Sequence, residues 1–262
     1  MVVDFHVHCF PDALASRALA ALSQSSGIVP ATDGTVDGLK QSMQRAAIDY
    51  SVIQPIATKP GQTQKANTWA ASVQNHQILS FGTLHPKLET WREEARRIKS
   101  LGLRGVKFHP DYQDFFVDDE AVMPIYERLA ELDLVILFHA GIDIGVQPPC
   151  HCPPNRLAKV VRRLGGARLV AAHMGGFRFW NEVEEHLVGL DLLFDTSYGL
   201  GHVGTDQFAR ILRCHGVERC LFGSDSPWAD QAVEIAKIEQ LRLAPEDRHA
   251  VLEGNARRLL QL

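Results

Sequence analysis

Two histidines stand two apart near the start of the chain, in Val2-Val3-Asp4-Phe5-His6-Val7-His8-Cys9. The run is apolar and β-branched, which favours a buried strand. Side chains two apart on a strand share a face, so Asp4, His6 and His8 are expected to point together. Neutral imidazole binds zinc and its neighbours in the first transition row, and two imidazoles on one rigid strand make half of a metal site. The pair alone is weak evidence, because 12 histidines in 262 residues give about 0.5 His-x-His pairs by chance. More weight comes from other polar residues that end apolar runs: Lys107 and His109, His139, His173, and Asp225. Each is followed by Gly, Pro or another turn residue, as in His109-Pro110, His139-Ala140-Gly141, His173-Met174-Gly175-Gly176 and Asp225-Ser226-Pro227.

The elements that must bring these residues together follow from alternating periodicities. After the first strand, helices are predicted over Pro11–Leu22 and Val36–Ala47, and a strand over Tyr50–Ile56. A helix over residues 63–75, a strand over Ile78–Leu84, a helix over Leu88–Ser100 and a strand over Leu103–His109 come next. Then come a helix over residues 119–132, the all-apolar strand Leu134–His139, a helix over Pro154–Leu164 and a strand over Arg168–His173. A helix over Phe177–Val188, a strand over Asp191–Asp195, a helix over Thr205–His215 and a strand over Arg219–Gly223 follow, and helices over residues 229–241 and 246–261 finish the chain. Eight strand–helix alternations in 262 residues match the roughly 250 residues of one (β/α)8 barrel. The expected fold class is therefore α/β, one TIM barrel over residues 1–262 with a C-terminal helical extension. Chemistry in such barrels sits at the C-terminal mouths of the strands, where these polar residues fall. One histidine ending a strand is ordinarily a satisfied core residue. Five strands ending on ligand types point to a site.

A net charge of −4, with 45% hydrophobic and 22% charged residues, describes a soluble globular chain without the basic patch a nucleic-acid partner needs. The chain enters a strand at once, with no signal-peptide pattern and no apolar run approaching 18 residues, so neither secretion nor membrane insertion is expected. Five cysteines at irregular spacing, Cys9, Cys150, Cys152, Cys214 and Cys220, do not make a disulfide framework and fit a cytoplasmic location.

An ordered set of motifs resembles the amidohydrolase superfamily, and within it the amidohydrolase-related branch that contains aminocarboxymuconate-semialdehyde decarboxylase. The set is Asp4-Phe5-His6-Val7-His8, Gly105-Val106-Lys107-Phe108-His109-Pro110, Phe138-His139-Ala140-Gly141, Ala172-His173-Met174-Gly175-Gly176, Phe222-Gly223-Ser224-Asp225-Ser226-Pro227 and Gly254-Asn255-Ala256-Arg257-Arg258-Leu259-Leu260. The resemblance covers nearly the whole chain. It implies a divalent metal bound by His6, His8, His139 and Asp225, with His173 a catalytic group or a ligand of a second ion.

Such a ligand set makes chemical sense. Three imidazoles and a carboxylate leave room for a water, and zinc lowers the pKa of bound water to about 7. Zinc, one ion per chain, is the expected cofactor, with two ions the alternative. Asp225 would take a proton from the nucleophile and return it to the leaving group. His173 would hydrogen-bond a carbonyl oxygen as charge develops on it. Asp4 would support the histidines from below on the same face, inside the barrel.

Lys107 lies near the place where some superfamily members carry a carboxylated, metal-bridging lysine. The alternative is a lysine set deep in the barrel and paired with a carboxylate such as Asp4, leaving His109 to line the substrate pocket. The proline-rich loop from Gly145 to Pro154 is expected to overhang the mouth and bring His151 to substrate, whereas Cys150-His151-Cys152 lacks the second pair of a structural zinc site. Arg178, Trp180 and Trp228 could read a carboxylate and a planar group in the pocket, or could pack on a helix surface or a subunit interface; a homodimer is the assembly considered.

The expected activity is metal-dependent hydrolysis of a small carbonyl compound, an amide, lactone or ester. Non-oxidative decarboxylation of a small unsaturated acid is the alternative within enzymes, and a metal-binding barrel without turnover is the alternative outside them. Asp225 favours an enzyme, since a storage site gains little from a carboxylate between metal and substrate. A phosphoesterase would show more histidine and carboxylate ligands spread over the strands.

Overall fold

A computed structural model describes residues 1–262. Strand β1 (Val3–Val7) is buried at all five positions, the outcome expected of an apolar, β-branched run covered on both faces. It is followed by β2 (Tyr50–Ile53), β3 (Ile78–Ser80), β4 (Gly82–Thr83), β5 (Gly105–Phe108), β6 (Val135–Phe138), β7 (Leu169–Ala171), β8 (Leu193–Asp195) and β9 (Cys220–Leu221). β1, β2 and β3 pair side by side, as do β4 through β9, and every pairing is parallel. Only Phe81 separates β3 from β4, and its amide donates to Ile53 O at 2.9 Å, so the two are halves of one stave. At the other seam the Phe5 amide donates to Phe222 O at 2.8 Å, the Asp225 amide to His6 O at 2.8 Å and the His8 amide to Ser226 O at 2.5 Å. Eight staves thus form the α/β barrel expected from the sequence.

The layer outside the staves holds α1 (Asp12–Ser26), α2 (Val36–Ala46), α3 (Thr63–Ser72), α4 (Trp91–Ser100), α5 (Pro110–Gln113), α6 (Met123–Glu131), α7 (Pro154–Arg163), α8 (Trp180–His186), α9 (Thr205–His215), α10 (Gln231–Gln240) and α11 (Pro245–His249), with α12 (Asn255–Leu260) last. Local chemistry sets several starts: Thr35 Oγ1 accepts from the Gly38 amide at 2.9 Å, and Asp230 Oδ1 accepts from Ala232 and Val233 at 2.9 and 3.1 Å. Some expected spans change. The strand expected over Tyr50–Ile56 ends at Ile53, two residues before Pro55, which has no amide to continue the ladder. The helix expected over 119–132 begins at Met123. The helix expected over 246–261 is interrupted by a π-helical turn at Ala250–Gly254. The short α5, with Pro110 in its first turn, was not foreseen.

Two apolar layers result. Between staves and helices lies a large cluster that includes Val7, Ile53, Val106, Phe108, Ile136, Phe138 and Phe194. Inside the barrel lies a smaller one, including Val3, Phe5, Val52, Phe81, Leu137 and Leu221, into which α12 inserts Ala256, Leu259 and Leu260. The C-terminal helix therefore stoppers the end of the barrel opposite the mouth.

These layers correct one reading of β1. The pairing of β1 with β2 shifts register between Asp4 and Val7, a β-bulge. Val3 and Phe5 belong to the inner layer and Val7 to the outer one, so Phe5 and His6 both face inward across the bulge. Asp4 lies on the outer face, bonded to Ser224 and to Gln231 of α10. The alternation that would have put Asp4 on the same face as His6 and His8 is broken between them.

His215 supplies a pH test of the outer layer. It is fully buried, stacks on Phe194 at 3.8 Å, donates from Nε2 to Leu192 O at 2.9 Å and accepts at Nδ1 from the Gly189 amide at 3.2 Å. Burial, aided by nearby Arg219, pushes its pKa down from 6.5 to about 4. A depressed imidazole contributes stability that is fully present above its unfolded pKa and is lost as pH falls through the folded one. Denaturation at pH 7 and pH 4 should therefore show the wild type losing about 3 kcal/mol more than His215→Gln over that interval. Equal losses in the two proteins would refute the assignment.

Candidate metal centre

The end of β1 presents two imidazoles whose protonation is fixed from behind. His6 Nδ1 lies 2.8 Å from Asp195 Oδ2 at the end of β8 and 3.1 Å from Ser197 Oγ. His8 Nδ1 lies 2.8 Å from the Gln54 carbonyl at the end of β2. A carbonyl can only accept, and an ionised carboxylate can only accept, so both Nδ1 atoms carry the proton and both Nε2 atoms carry lone pairs. Burial opposes the charge on Asp195, but His6, His173 and Ser197 hold its carboxyl well below the usual carboxylate range. Burial and nearby Lys107 push His6 down to about 4, so it is neutral at pH 7.

Those two Nε2 atoms face each other at 3.2 Å. Asp225 Oδ1 lies 3.5 Å from the first and 3.3 Å from the second. Burial raises the Asp225 pKa, and the imidazoles of His8, His173 and His6 more than offset this, leaving it at about 2. Three lone-pair donors converge on one point, an arrangement that suits a cation. Two nitrogens bound to one tetrahedral zinc stand about 3.3–3.4 Å apart, close to the separation seen. The donor set fits a divalent metal.

Asp225 is placed by the seam between first and last staves. Its backbone is left-handed, φ 69°. On β1's outer face Asp4 Oδ1 accepts from the Ser224 amide at 2.9 Å, and Asp4 Oδ2 accepts from Ser224 Oγ at 2.5 Å and Gln231 Nε2 at 2.7 Å. Asp4 thus acts on the loop that carries Asp225, from outside the barrel. Gly223 allows the close passage, because a Cβ there would lie 2.8 Å from His6 Cβ.

His139 and His173 stand beside this cluster without joining it. Of the expected ligands, His6, His8 and Asp225 alone bring their ligand atoms mutually within 4.8 Å. His173 Nδ1 donates to Ser197 O at 2.9 Å, so its Nε2 is an acceptor, and it meets His139 Nδ1 at 3.1 Å. That tautomer cannot donate to a carbonyl oxygen at Nε2 as expected. It can take up a proton there and donate only afterwards. With His139 Nδ1–H donated to His173, its buried Nε2 keeps a lone pair with no partner. Burial pushes His139 and His109 well below 6.5.

His109 stacks between Tyr112 at 3.9 Å and His139 at 4.0 Å. Its Nε2 donates to Asp143 Oδ2 at 3.1 Å and its Nδ1 accepts from the Tyr112 amide at 3.3 Å. His109, His139 and Asp143 form a second group of metal-ligand types, but the two rings lie 14° from parallel. Their nitrogens are aimed side by side rather than at a common point, so this group is a hydrogen-bonded wall that orients His139.

Lys107 is not buried out of reach and does not pair with Asp4. Its register partner Leu137 belongs to the inner layer, and its Nζ reaches His6 Nε2 at 3.3 Å, whereas Asp4 faces outward. Burial lowers its pKa to about 8. His8, Lys107, His109, His139, His173 and Asp225 line a cavity of about 720 Å³. His151 is elsewhere: its Nδ1 bonds Asp111 at 2.7 Å and its ring packs on Phe116. The loop instead offers Ile142 to Gly145 to the cavity. Arg178 is exposed, over the Phe177 ring at 5.4 Å. Trp180 is buried and donates to His173 O at 3.3 Å, so it serves neither a helix surface nor an interface, and Trp228 lines the cavity. All five cysteines are free, and Cys150 Sγ bonds Gly141 O at 3.0 Å. Sequence reading missed Asp195, Asp143 and Tyr112. Asp195 had a usable signal, since it ends the seventh predicted strand as the other polar residues end theirs.

A parallel barrel with imidazoles and a carboxylate converging at its mouth defines a metal-dependent barrel enzyme. The chain belongs to the amidohydrolase family, whose model matches residues 3–262. Three solved structures show the likeness of fold. An uncharacterised TIM-barrel protein, Bb4693 from Bordetella bronchiseptica, has TM-score 0.80 and 18% identity, covering 99% of this chain and 98% of its own. A candidate 2-pyrone-4,6-dicarboxylic acid hydrolase from Pseudomonas putida has TM-score 0.71 and 18% identity, covering 99% and 97%. A dihydroxybenzoic acid decarboxylase from Polaromonas sp. JS666, with manganese and 2-nitroresorcinol bound, has TM-score 0.71 and 17% identity, covering 100% and 97%. No curated protein matches the chain. No helix is long and apolar enough to cross a membrane.

The grip of Asp195 on His6 yields a test. In Asp195→Asn the amide can donate to Nδ1 and allow the proton to move to Nε2, the ligand atom. Titration against a competing chelator should show divalent-metal affinity falling about 10- to 100-fold, with stoichiometry at saturation unchanged near one ion per chain. Unaltered affinity would remove Asp195 from the centre.

Proposed function

We propose that the chain hydrolyses a carbonyl compound, an amide, lactone or ester, at a zinc-type centre formed by His6, His8 and Asp225, with His139 as the fourth ligand. The carrying observation is the pair of Nε2 lone pairs at 3.2 Å beside the Asp225 carboxylate. The unpartnered Nε2 of His139 supports its inclusion. When bound, the divalent ion supplies Lewis acidity and makes water nucleophilic at neutral pH.

The chain's own groups handle position and protons. Asp225, ionised and tied to the seam, accepts the proton lost by the attacking water and returns it to the leaving group. His173 can store a proton at Nε2 while its Nδ1–H stays on Ser197, and in that charged form it donates toward developing negative charge. His109, held neutral and bonded on both nitrogens, keeps the His139 ring in place. We propose a small-molecule substrate and a reducing, cytoplasmic setting, which the five free thiols support. The second reading, decarboxylation of an unsaturated acid over the same floor, is supported by the likeness to a decarboxylase fold.

The proton assignment can be tested by kinetics. Asp225→Asn should retain most of its metal while kcat falls about 10²- to 10⁴-fold. His173→Asn should lose a similar or smaller factor, and the double variant should lose less than the product of the two. Wild-type turnover by metal-loaded Asp225→Asn would overturn the mechanism. On chelation the melting temperature should fall while the barrel remains folded, as circular dichroism would show, because the bound ion adds stability to an already large core.

A further inference from the structure

The walls of the cavity differ from its floor. α1 and α3 both line it, offering Leu14, Arg17 and Ala18 from one and Lys65, Ala66 and Trp69 from the other, each a stripe at helical spacing. The α1 stripe is not explained by the core. That helix buries only Ala15 and Leu19, and Leu14 remains 42% exposed. An apolar stripe left facing a cavity gains from an apolar ligand what it does not gain from packing.

Charge is segregated along the same line. The carboxylates of the cavity, Asp143 and Asp225, stand on the segments that follow β6 and β9, the first bonded to His109 and the second beside His6 and His8. Arg17 and Lys65 stand on the helices, each one place before an alanine that lines the cavity. A substrate with its carbonyl on the floor would lie along apolar helices with its far end beside two cations. A cavity of about 720 Å³ is larger than a compact carbonyl compound needs and falls in the range of drug-sized ligands.

We propose that the site takes amphipathic carbonyl substrates: a hydrolysable group at one end, an elongated apolar body, and an anionic group at the other end read by Arg17 and Lys65. This inference rests on the hydrolase reading for its reactive end only. The test compares monomethyl esters of succinic and sebacic acids, methyl decanoate, and, for binding without turnover, the methyl ketones of matching length, 4-oxopentanoic and 10-oxoundecanoic acids. Each added methylene should be worth about three- to fourfold, so kcat/KM should rise at least about 100-fold from monomethyl succinate to monomethyl sebacate. Monomethyl sebacate should exceed methyl decanoate by about 5- to 20-fold, and Arg17→Ala with Lys65→Ala should abolish that difference. Ala18→Trp, filling the arm, should shrink the length preference below about tenfold. A flat dependence on length and charge in protein that cleaves the short ester overturns the proposal. If no ester is cleaved while 10-oxoundecanoic acid binds by calorimetry far more tightly than 4-oxopentanoic acid, the apolar arm of the cavity stands and the ester-hydrolase reading fails. If the two ketones bind alike, the arm fails on its own.

Discussion

The centre depends on a proton being kept out of one place. Two imidazole lone pairs and a carboxylate oxygen crowd a single point, and in water such a trio would relax by moving a proton onto one nitrogen. Here both rings are pinned from behind, one by Asp195 and one by the Gln54 carbonyl, so relaxation would sacrifice a buried hydrogen bond. Leaving a buried polar group unpaired costs about 1–3 kcal/mol. A divalent cation would relieve that crowding, and the fitness of the cluster for one is set from the ends of β2 and β8 as much as from the imidazoles of β1.

The seam between first and last staves adds the carboxylate of the cluster under similar constraint. The Asp225 amide holds His6 O, the Asp225 backbone is left-handed, and the preceding serine is fastened to Asp4 from outside. His173 and Met174 are left-handed as well. Such conformations in residues other than glycine cost of order 1–3 kcal/mol and persist where surrounding bonds over-determine them. Both cluster at the mouth, beyond the ends of β7 and β9, whereas the opposite end of the barrel is filled by apolar side chains from α12. Stability and function are thus divided between the two ends of the same staves.

The sequence carried much of this. Apolar runs ending in polar residues located the staves and their mouths, because a strand buried on both faces has few other places for a histidine or lysine. What it could not carry was phase. Val3-Asp4-Phe5-His6-Val7-His8 alternates without a break, and nothing in those letters marks the extra residue that turns Phe5 and His6 the same way. One of the two readings of Lys107, the pairing with Asp4, fails for a related reason, since it depended on which way Asp4 faced. His151 and Arg178 sit in loops, whose paths are set by contacts such as the Asp111 bond and the Phe177 ring rather than by periodicity. Asp195 was legible and overlooked: its type resembles an ordinary solvated carboxylate until its position at a strand end is weighed.

The bulge in β1 has a consequence for how this chain can change. It divides one short strand into two reading frames: before it Val3 and Phe5 face inward and Asp4 outward, and after it His6 and His8 face the cavity and Val7 the outer layer. Substitutions on either side can be selected separately, which an uninterrupted strand would not permit. The same division makes the segment dependent on the bulge. Straightening the strand at constant length would restore regular alternation and put Asp4 on the face of His6 and His8. The outward-facing carboxylate and the inward-facing imidazoles could then no longer both be satisfied, although every one of those residues would remain in the sequence. A search for His-x-His cannot see this; the bulge between Asp4 and the histidines matters as much as the histidines themselves.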